Sequence, residues 1–413
     1  MFDSLPQEIT HDILFRLPIK SLIQCTSVCK PWRSMIINQS FIQSHLRRKI
    51  SFQKQNDIHL FLVHSVSGHL ITSVRTHRHR TVVSKIRQEV FSVHYDNQDF
   101  DKNFEIEFPS AVKEELKNEI LRVVGICNGL VCFADDMACY GNSFIIWNPL
   151  IRKSVTLPNP GITFPMYNSI PNYGGFDAAI GFGYDAMTSD YKVVRVATPK
   201  NKLQGPTMAE VYSLATGSWR SLGSVAPQCA IYGREKHLFF NGALHWPAVS
   251  RARDDHFILT FDVGNELFCK MSMPSSVIWS YILGLLLSVS GDKKFIALFV
   301  MNADSKDSYL EIWVMKEYGM KESWTKLINL GPQGPERLFP RALCFRRNGE
   351  VLVMLLKGGR QLGFETNISK HELVSLDLVS KQMESLEICG PYCSVDSYEE
   401  SLLLLDKTDA VSL

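Results

Sequence analysis

A strand–turn–strand unit that recurs five times between residues 144 and 386 limits the possible folds of this chain more than any other feature. Each copy has an aromatic or apolar strand, a short polar turn, and a second strand that carries Ser, Trp or Leu. With Trp147, Tyr212, Phe261, Trp313 and Leu376 as equivalent positions, successive copies are 65, 49, 52 and 63 residues apart. Four-stranded propeller blades repeat every ~40 to 50 residues before loop insertions are added. The spacing therefore predicts a β-propeller.

Further strands are predicted between the copies, because nearly continuous apolar runs suit strands that are covered on both faces. These runs lie at 130–133, 192–196, 238–246, 295–299 and 351–356. Two less regular hairpins, at 59–74 and 90–109, would form a first blade. The run 402–405 would add a strand that joins the two ends of the ring and removes exposed edges. We predict about six blades, with seven also open; a β-sandwich, or a pair of them, is the competing architecture.

The first forty residues have a different pattern, in which prolines separate three short predicted helices. Pro6 suits the first turn of one helix, Pro18 stops that helix, and Pro31 opens the third. Apolar residues follow one side of each helix at a spacing of three to four residues. Isolated helices below about 12 to 15 residues are marginal in water. We therefore expect them to pack on the rest of the chain or on a partner protein.

This region resembles the F-box family. The family pattern is matched by Leu-Pro at 5–6, an Ile/Leu stripe at 9–14, a second Leu-Pro at 17–18, a Ser-Leu pair at 21–22 and a Cys-Lys-x-Trp-Arg run at 29–33. The resemblance implies an F-box over residues 1–46 that binds a Skp1-like adaptor and, through it, a cullin and a RING ubiquitin ligase. It leaves open which matching residues touch the adaptor and which pack the helices together. The predicted adaptor-binding residues are Leu5, Pro6, Ile9, Ile13, Leu14, Leu17, Pro18, Leu22, Val28 and Trp32. We expect Trp32 to make some of its contacts within the chain itself, since a large aromatic residue near two prolines often closes a small helical core.

The rest of the chain resembles the F-box-associated domain of plant F-box proteins. The matching motifs are V-V-G-I-C-N-G-L-V-C at 123–132 with W-N-P at 147–149, G-F-G-Y-D at 181–185 with D-Y-K-V-V at 190–194, and the kelch-like F-N-G-A-L-H-W at 240–246. Ile126 and Ile151 depart from the Ser and Thr that the family more often has there. The resemblance implies a kelch-like, target-binding propeller over 57–413. The predicted fold class is thus α+β and multidomain: a three-helix F-box followed by an all-β propeller of about six blades.

A long aromatic and proline-rich segment, residues 159–176, is the best candidate for contact with a target protein. Loops on a rigid scaffold commonly carry recognition. The predicted target-binding residues are Phe164, Met166, Tyr167, Ile170 and Tyr173. The alternative, a loop that folds back on its own blade, has equal weight.

Charge and composition argue against other function classes. The chain has 44 basic and 42 acidic residues, a formal charge of +2, and so no long-range field to attract nucleic acid or an acidic membrane. We find no N-terminal signal pattern and no apolar run long enough to span a bilayer. The ten cysteines lie mostly in apolar strand-like runs, which suits free buried thiols in a reducing compartment. We predict a soluble intracellular protein, cytoplasmic or nuclear.

No catalytic, cofactor-binding or metal-binding residues are predicted. The sequence lacks nucleophile-elbow, P-loop, zincin and dinucleotide-binding signatures, and its cysteines lack zinc-site spacing. His77 and His79 are flanked by arginines that repel a cation, and the aspartate pairs 135–136 and 254–255 lie in turn-like sequence. We expect a non-catalytic receptor subunit without cofactors. A propeller enzyme, and a kelch-like scaffold without ligase coupling, are the alternatives.

Overall fold

The computed structural model begins with four helices, α1 (Gln7–Arg16), α2 (Ile19–Cys25), α3 (Lys30–Ile36) and α4 (Gln39–Phe52). Pro18 directly precedes α2 and Pro31 lies in the first turn of α3, as predicted. The sequence predicts three helices, and α4 is an addition. The structure describes residues 6–52, 59–69, 74–75, 80–81, 85–108, 113, 116, 120–136, 143–162, 176–199, 206–223, 229–231, 236–250, 255–277, 283–302, 308–356, 371–390, 392–407 and 411–412.

Six antiparallel sheets follow the helices and form the blades of a propeller, which confirms the predicted fold class. From the first to the fourth strand, blade 1 is Tyr392–Tyr398, Leu60–His69, Lys85–Tyr95 and Lys102–Ile106; blade 2 is Arg122–Cys127, Leu130–Ala134, Phe144–Asn148 and Lys153–Thr156, extended by Val411–Ser412; blade 3 is Phe176–Asp185, Asp190–Pro199, Met208–Ser213 and Ser218–Gly223. Blade 4 is Cys229–Ile231 with Leu238–Phe240, then Ala243–Ser250, His256–Asp262 and Leu267–Ser272; blade 5 is Leu283–Val289, Ile296–Asn302, Tyr309–Met315 and Trp324–Leu330; blade 6 is Phe339–Phe345, Val351–Leu356, Glu372–Leu376 and Met383–Cys389. A separate two-stranded ribbon pairs Val74–Arg75 with Arg80–Thr81.

The repeat seen in the sequence corresponds to one position in the blades. Trp147, Tyr212, Phe261, Trp313 and Leu376 all lie in the third strand of their blades, 2 to 6 in order. The apolar runs between the copies overlap the second strands of blades 2 to 6, where burial is nearly complete. The predicted period therefore reflects radial repetition of the same four-stranded unit.

The ring closes through a different strand from the predicted one. Residues 392–398 form the first strand of blade 1 and pair antiparallel with Leu60–Val66. Their burial alternates along most of the strand, as in a sheet with unlike faces. The prediction for 402–405 is wrong: Leu402, Leu403 and Leu404 form a turn, not a strand, and are almost completely buried. A run of four leucines has no alternation, and here it fills a junction covered from several sides.

The propeller presents one of its two faces to the helices. Because the strands of a blade are antiparallel, the turn between its first and second strands and the turn between its third and fourth strands lie at the same end of the blade. In blades 2 and 3 these turns carry Cys127, Leu130, Tyr191 and Leu214, which share one hydrophobic cluster with the buried residues of the four helices. We call this side the helix-side face. The connections between second and third strands, and those between blades, leave from the opposite face.

Candidate functional site

The structure separates the predicted adaptor-binding residues into two groups. Ile9, Ile13 and Val28 are 48%, 47% and 63% exposed, whereas Leu14 and Leu22 are completely buried. Pro6 and Pro18 are also exposed, Leu17 and Trp32 are partly buried against the hydrophobic cluster, and Leu5 lies outside the described residues. Leu14 and Leu22 therefore have no surface to offer a partner, and the exposed group defines the candidate site.

Helix α1 has apolar residues on two sides. Ile9 and Ile13 are one turn apart and share the exposed side. Leu14, only about 100° further around the helix, points into the hydrophobic cluster. Asp12 and Arg16 form an exposed ion pair at 2.8 Å beside the isoleucines. The exposed side is thus an apolar strip next to a charged pair, which is the pattern of a helix that docks onto another protein.

Helix α4 braces α1 from behind, and sequence analysis did not find this contact. The Phe15 and Phe41 rings meet edge to face with centroids 5.8 Å apart. Arg48 Nη1 donates a hydrogen bond to the Phe15 carbonyl oxygen at 2.6 Å, and its guanidinium lies 5.1 Å from the Phe15 ring centroid. These contacts occupy the end of α1 where free carbonyl groups need donors. The exposed strip is therefore carried by a supported helix.

Helix α2 contacts the propeller directly. The Lys20 ammonium lies 4.5 Å from the Phe104 ring centroid in blade 1 and 3.9 Å from Glu400 Oε1. Ile19 and Leu22 of the same helix are buried in the hydrophobic cluster. The helices thus have one side on the propeller and another facing outward.

The predicted target-binding residues Phe164, Met166, Tyr167, Ile170 and Tyr173 all lie outside the described residues, and this prediction stays a prediction. The structure does describe the residues that lead into the segment. The backbone N–H groups of Gly161 and Ile162 donate to Glu210 Oε2 at 2.9 and 3.1 Å. Arg195 Nη1 donates to the Ile162 carbonyl oxygen at 2.8 Å and pairs with Glu210 Oε1 at 2.5 Å.

This Arg195–Glu210 pair is buried in blade 3, with each side chain only 1% exposed. Sequence analysis did not single it out, although a charged residue inside each of two apolar strands was a usable signal. A buried charge pair requires full hydrogen bonding to be tolerated. The backbone at Gly161 and Ile162 supplies part of that bonding, so the start of the predicted target-binding segment is held firmly to the blade.

The centre of the ring holds a cavity of about 530 Å³ lined by five of the six blades. Lys236 forms an ion pair with Asp396 across it, and burial raises the pKa of Asp396 above its ordinary value in spite of the lysine. Burial also lowers the pKa of His237 to about 3, so this imidazole is neutral. Within the described part of the chain, no three His, Cys, Asp or Glu side chains are grouped to hold a metal ion.

Two other sequence-based questions have structural answers. The cysteines that the structure describes are free thiols, and five of them are buried: Cys127, Cys132, Cys229, Cys344 and Cys393. A search of the described helices finds none that combines the length and apolar character needed to cross a membrane.

Comparison with known proteins matches two family models to this chain. Residues 2–48 match the F-box-like model, and residues 81–402 match the F-box associated beta propeller domain. The chain is 26% identical to the F-box protein CPR1 of Arabidopsis thaliana over 98% of this chain and 90% of that protein. It is also 27% identical to an F-box/kelch-repeat protein of the same plant, over 79% of each chain. The sequence resemblance noted above is thereby confirmed for both parts of the chain.

Proposed function

Because this chain belongs to the family of F-box proteins with an F-box-associated β-propeller, we propose that it is the substrate-recognition subunit of a Skp1–cullin–F-box ubiquitin ligase. The helices bind a Skp1-like adaptor, and the adaptor connects to a cullin. The propeller binds a target protein and presents it for ubiquitin transfer. The subunit has no catalytic role of its own and works by raising the effective concentration of the target near the ligase.

One observation carries this proposal: the N-terminal helices are apolar on an outward side as well as on the side that the propeller covers. Ile9, Ile13 and Val28 are each at least 47% exposed, although Leu14 beside them is completely buried. Ile9 and Ile13 lie one turn apart on the same exposed side of α1, and neighbouring exposed aliphatic residues of this kind are typical of a surface that a partner protein covers. The helix-in-groove mode suits such an apolar strip.

We further propose that the target binds on the face of the propeller opposite the helices. The helices occupy the helix-side face through Cys127, Leu130, Tyr191 and Leu214. Ile162, the last described residue before the predicted target-binding segment, packs against Ala178 and Ala197, which lie near the ends of their strands at the opposite face. A target held there would not compete with the adaptor for space. The proposed sites of action are the cytoplasm and nucleus.

The experiment is a titration of the purified full chain with a plant Skp1-like adaptor. Ile9→Asp and Ile13→Asp each put a charge on the exposed strip, and we expect each to raise the Kd at least ~30-fold, about 2 kcal/mol. Leu267→Asp is the matched control, because Leu267 is 63% exposed in the outermost strand of blade 4, a blade that contributes no buried residue to the hydrophobic cluster of the helices. It should leave the Kd unchanged.

Circular dichroism should show the same helix content in all three variants, because none of these side chains is buried. Failure of the wild-type chain to bind the adaptor, or equal affinities for Ile13→Asp and Leu267→Asp, would refute the ligase role. In that case a scaffold without ligase coupling would become the better description.

A further inference from the structure

We propose that Asn148 is a positioning residue, which holds the chain segment 401–407 as a strut that fixes the F-box helices on the propeller. We call residues 401–407 the strut. Asn148 is the middle residue of the W-N-P motif, and it is completely buried at the end of the third strand of blade 2. No sequence feature pointed to a link between this motif and the C-terminal leucines, which are more than 250 residues away.

The side chain of Asn148 divides its hydrogen bonds between its own turn and the strut. Its Oδ1 accepts from the Leu150 N–H at 3.1 Å, which shapes the turn. Its Nδ2 donates to the carbonyl oxygens of Ser401 at 3.0 Å and Leu403 at 2.8 Å. An amide offers both an acceptor and two donors, and a carboxylate would keep only the acceptor. Asparagine is therefore the residue that can serve both partners.

A second side chain of blade 2 holds the far end of the strut. Lys153 Nζ donates to the carbonyl oxygens of Leu405 at 3.0 Å and Lys407 at 2.8 Å. The start of the strut also lies close over the neighbouring hairpin, where a Cβ on Gly129 would come within 2.7 Å of Ser401 Oγ. Two side chains of blade 2 thus hold the strut by four of its backbone carbonyl groups.

The leucines of the strut belong to the same hydrophobic cluster as the helices. Leu402, Leu403 and Leu404 are at most 6% exposed, and they share the hydrophobic cluster that holds Leu14 and Leu22. Short helices depend on such packing to stay folded and in place. Lys20 of α2 approaches Glu400, just before the strut, at 3.9 Å. The strut is therefore hydrogen-bonded to blade 2 and shares a hydrophobic cluster with the F-box helices.

The consequence rests on the proposed function: a fixed F-box orientation sets which lysines near the propeller the ligase can reach. A rigid link keeps the ubiquitin donor and the acceptor lysine at a defined separation. A loose link spreads the effective concentration of the donor over many lysine positions. Loss of the strut contacts should loosen the orientation without removing the adaptor-binding strip, because Ile9 and Ile13 are exposed and are not members of the hydrophobic cluster that contains the strut leucines.

Hydrogen–deuterium exchange of the full chain tests the strut without any partner. Asn148→Asp keeps the acceptor for Leu150 and loses both donations, so amides in α1, α2 and the strut should exchange at least about tenfold faster. Asn241→Asp, in the exposed hairpin turn of blade 4, is the matched control for the same chemical change and should leave these amides unaffected. Blades 4 to 6 should exchange as in the wild type in both variants.

Lys153→Met is a second test of the strut in case Asn148→Asp disturbs folding in general. Lys153 is only partly buried, so its replacement should not unfold the chain. It should produce the same localised acceleration, and Lys326→Met, which removes a lysine paired with Glu311 in blade 5, should not. The inference is refuted if the F-box amides of Asn148→Asp and Asn241→Asp exchange alike, or if Lys153→Met has no effect on them.

A reconstituted ligase tests the consequence separately. With adaptor, cullin–RING and charged ubiquitin-conjugating enzyme, the wild-type chain should be modified on a restricted set of its own propeller lysines, and Asn148→Asp on a wider set at an unchanged adaptor Kd. Identical lysine sets would refute the positioning role. Loss of adaptor binding in the wild type would instead refute the proposed function, and the exchange result for the strut would stand.

Discussion

Replacement of Arg346 by methionine is the most direct test of how the ring is held closed. Arg346 lies in blade 6 and is only 2% exposed. Its Nε donates to Asp96 Oδ1 of blade 1 at 2.9 Å, and its Nη1 donates to Glu350 Oε2 at 2.9 Å and Ser375 Oγ at 3.0 Å. The last blade is thus joined to the first through a buried ion pair between residues 250 positions apart.

The expected cost follows from what the substitution leaves behind. Asp96 is also only 2% exposed, and removal of one partner of a buried ion pair typically costs about 3 to 5 kcal/mol. Asp96 would keep hydrogen bonds from His59 Nδ1 at 3.2 Å and the Arg347 N–H at 2.9 Å. We therefore expect Arg346→Met to lower the free energy of unfolding by about 3 kcal/mol, the lower end of that range.

The pH dependence of stability gives an independent signature. Burial alone would raise the pKa of Asp96, but the hydrogen bonds from His59, the Arg347 N–H and Arg346 outweigh it and hold the pKa below its ordinary value. The stabilisation is present above about pH 4, the ordinary range for aspartate, and is lost as the pH falls through the folded pKa. In Arg346→Met the folded pKa of Asp96 should move up towards its unfolded value, so the fall in stability below about pH 4 should be shallower than in the wild type.

Urea denaturation monitored by tryptophan fluorescence provides the assay, with Asp96→Asn and the double variant completing a cycle. We expect a coupling energy of at least about 1 kcal/mol between the two sites. Arg220→Met is the control, because Arg220 is 61% exposed in its pair with Glu266, and it should cost no more than about 1 kcal/mol. If Arg346→Met costs no more than this control, or if the two single costs simply add, the ring-closure argument fails.

Three further predictions concern burial. Leu14→Ala should lower the free energy of unfolding by about 2 to 5 kcal/mol, because Leu14 is completely buried; a cost below ~1 kcal/mol in urea denaturation would contradict its core role. Burial lowers the pKa of His245 to about 4, so stability should fall as the pH drops from ~6.5 towards that value, and His245→Gln should flatten this slope in denaturation series across pH. Burial raises the pKa of the Cys132 thiol and shields it from reagents. Ellman's reagent should therefore react with the exposed Cys269 in the folded protein and with Cys132 only after unfolding. Equal reaction rates for the two thiols would contradict this prediction and show that blade 2 opens readily.

Much of the fold could be predicted because its signals are local or periodic. Proline positions and apolar spacing locate α1 to α3, and the recurrence of Trp147, Tyr212 and their equivalents locates the third strands of five blades. The sequence pattern of α4 is weaker than that of the first three helices, and α4 was not predicted. Its buried residues Phe41, Ile42 and Leu46 have helical spacing, but polar and basic residues surround them.

The candidate site could be predicted only in part. The sequence places Ile9, Ile13 and Leu14 in one apolar stripe, and nothing in the stripe says which members face outward. That choice depends on what the helix packs against, which here includes residues from blades 2 and 3 and the leucines near residue 403. The buried pair Arg195 and Glu210 illustrates the same limit, since its role at Ile162 appears only when the strands are assembled.

The sequence by itself determined that this chain has short amphipathic helices followed by a radially repeated β-structure, since these properties follow from residue spacing of 3.6, 2 and about 50 to 60 positions. Only the tertiary structure decided which strand closes the ring, which side of α1 is left exposed, and why Asn148 is needed beside Leu403. Each of these depends on contacts between residues far apart in the chain. Such contacts leave no periodic trace in a single sequence. In the strand pairing and at Asn148, the hydrogen-bond partners are backbone groups that any residue carries.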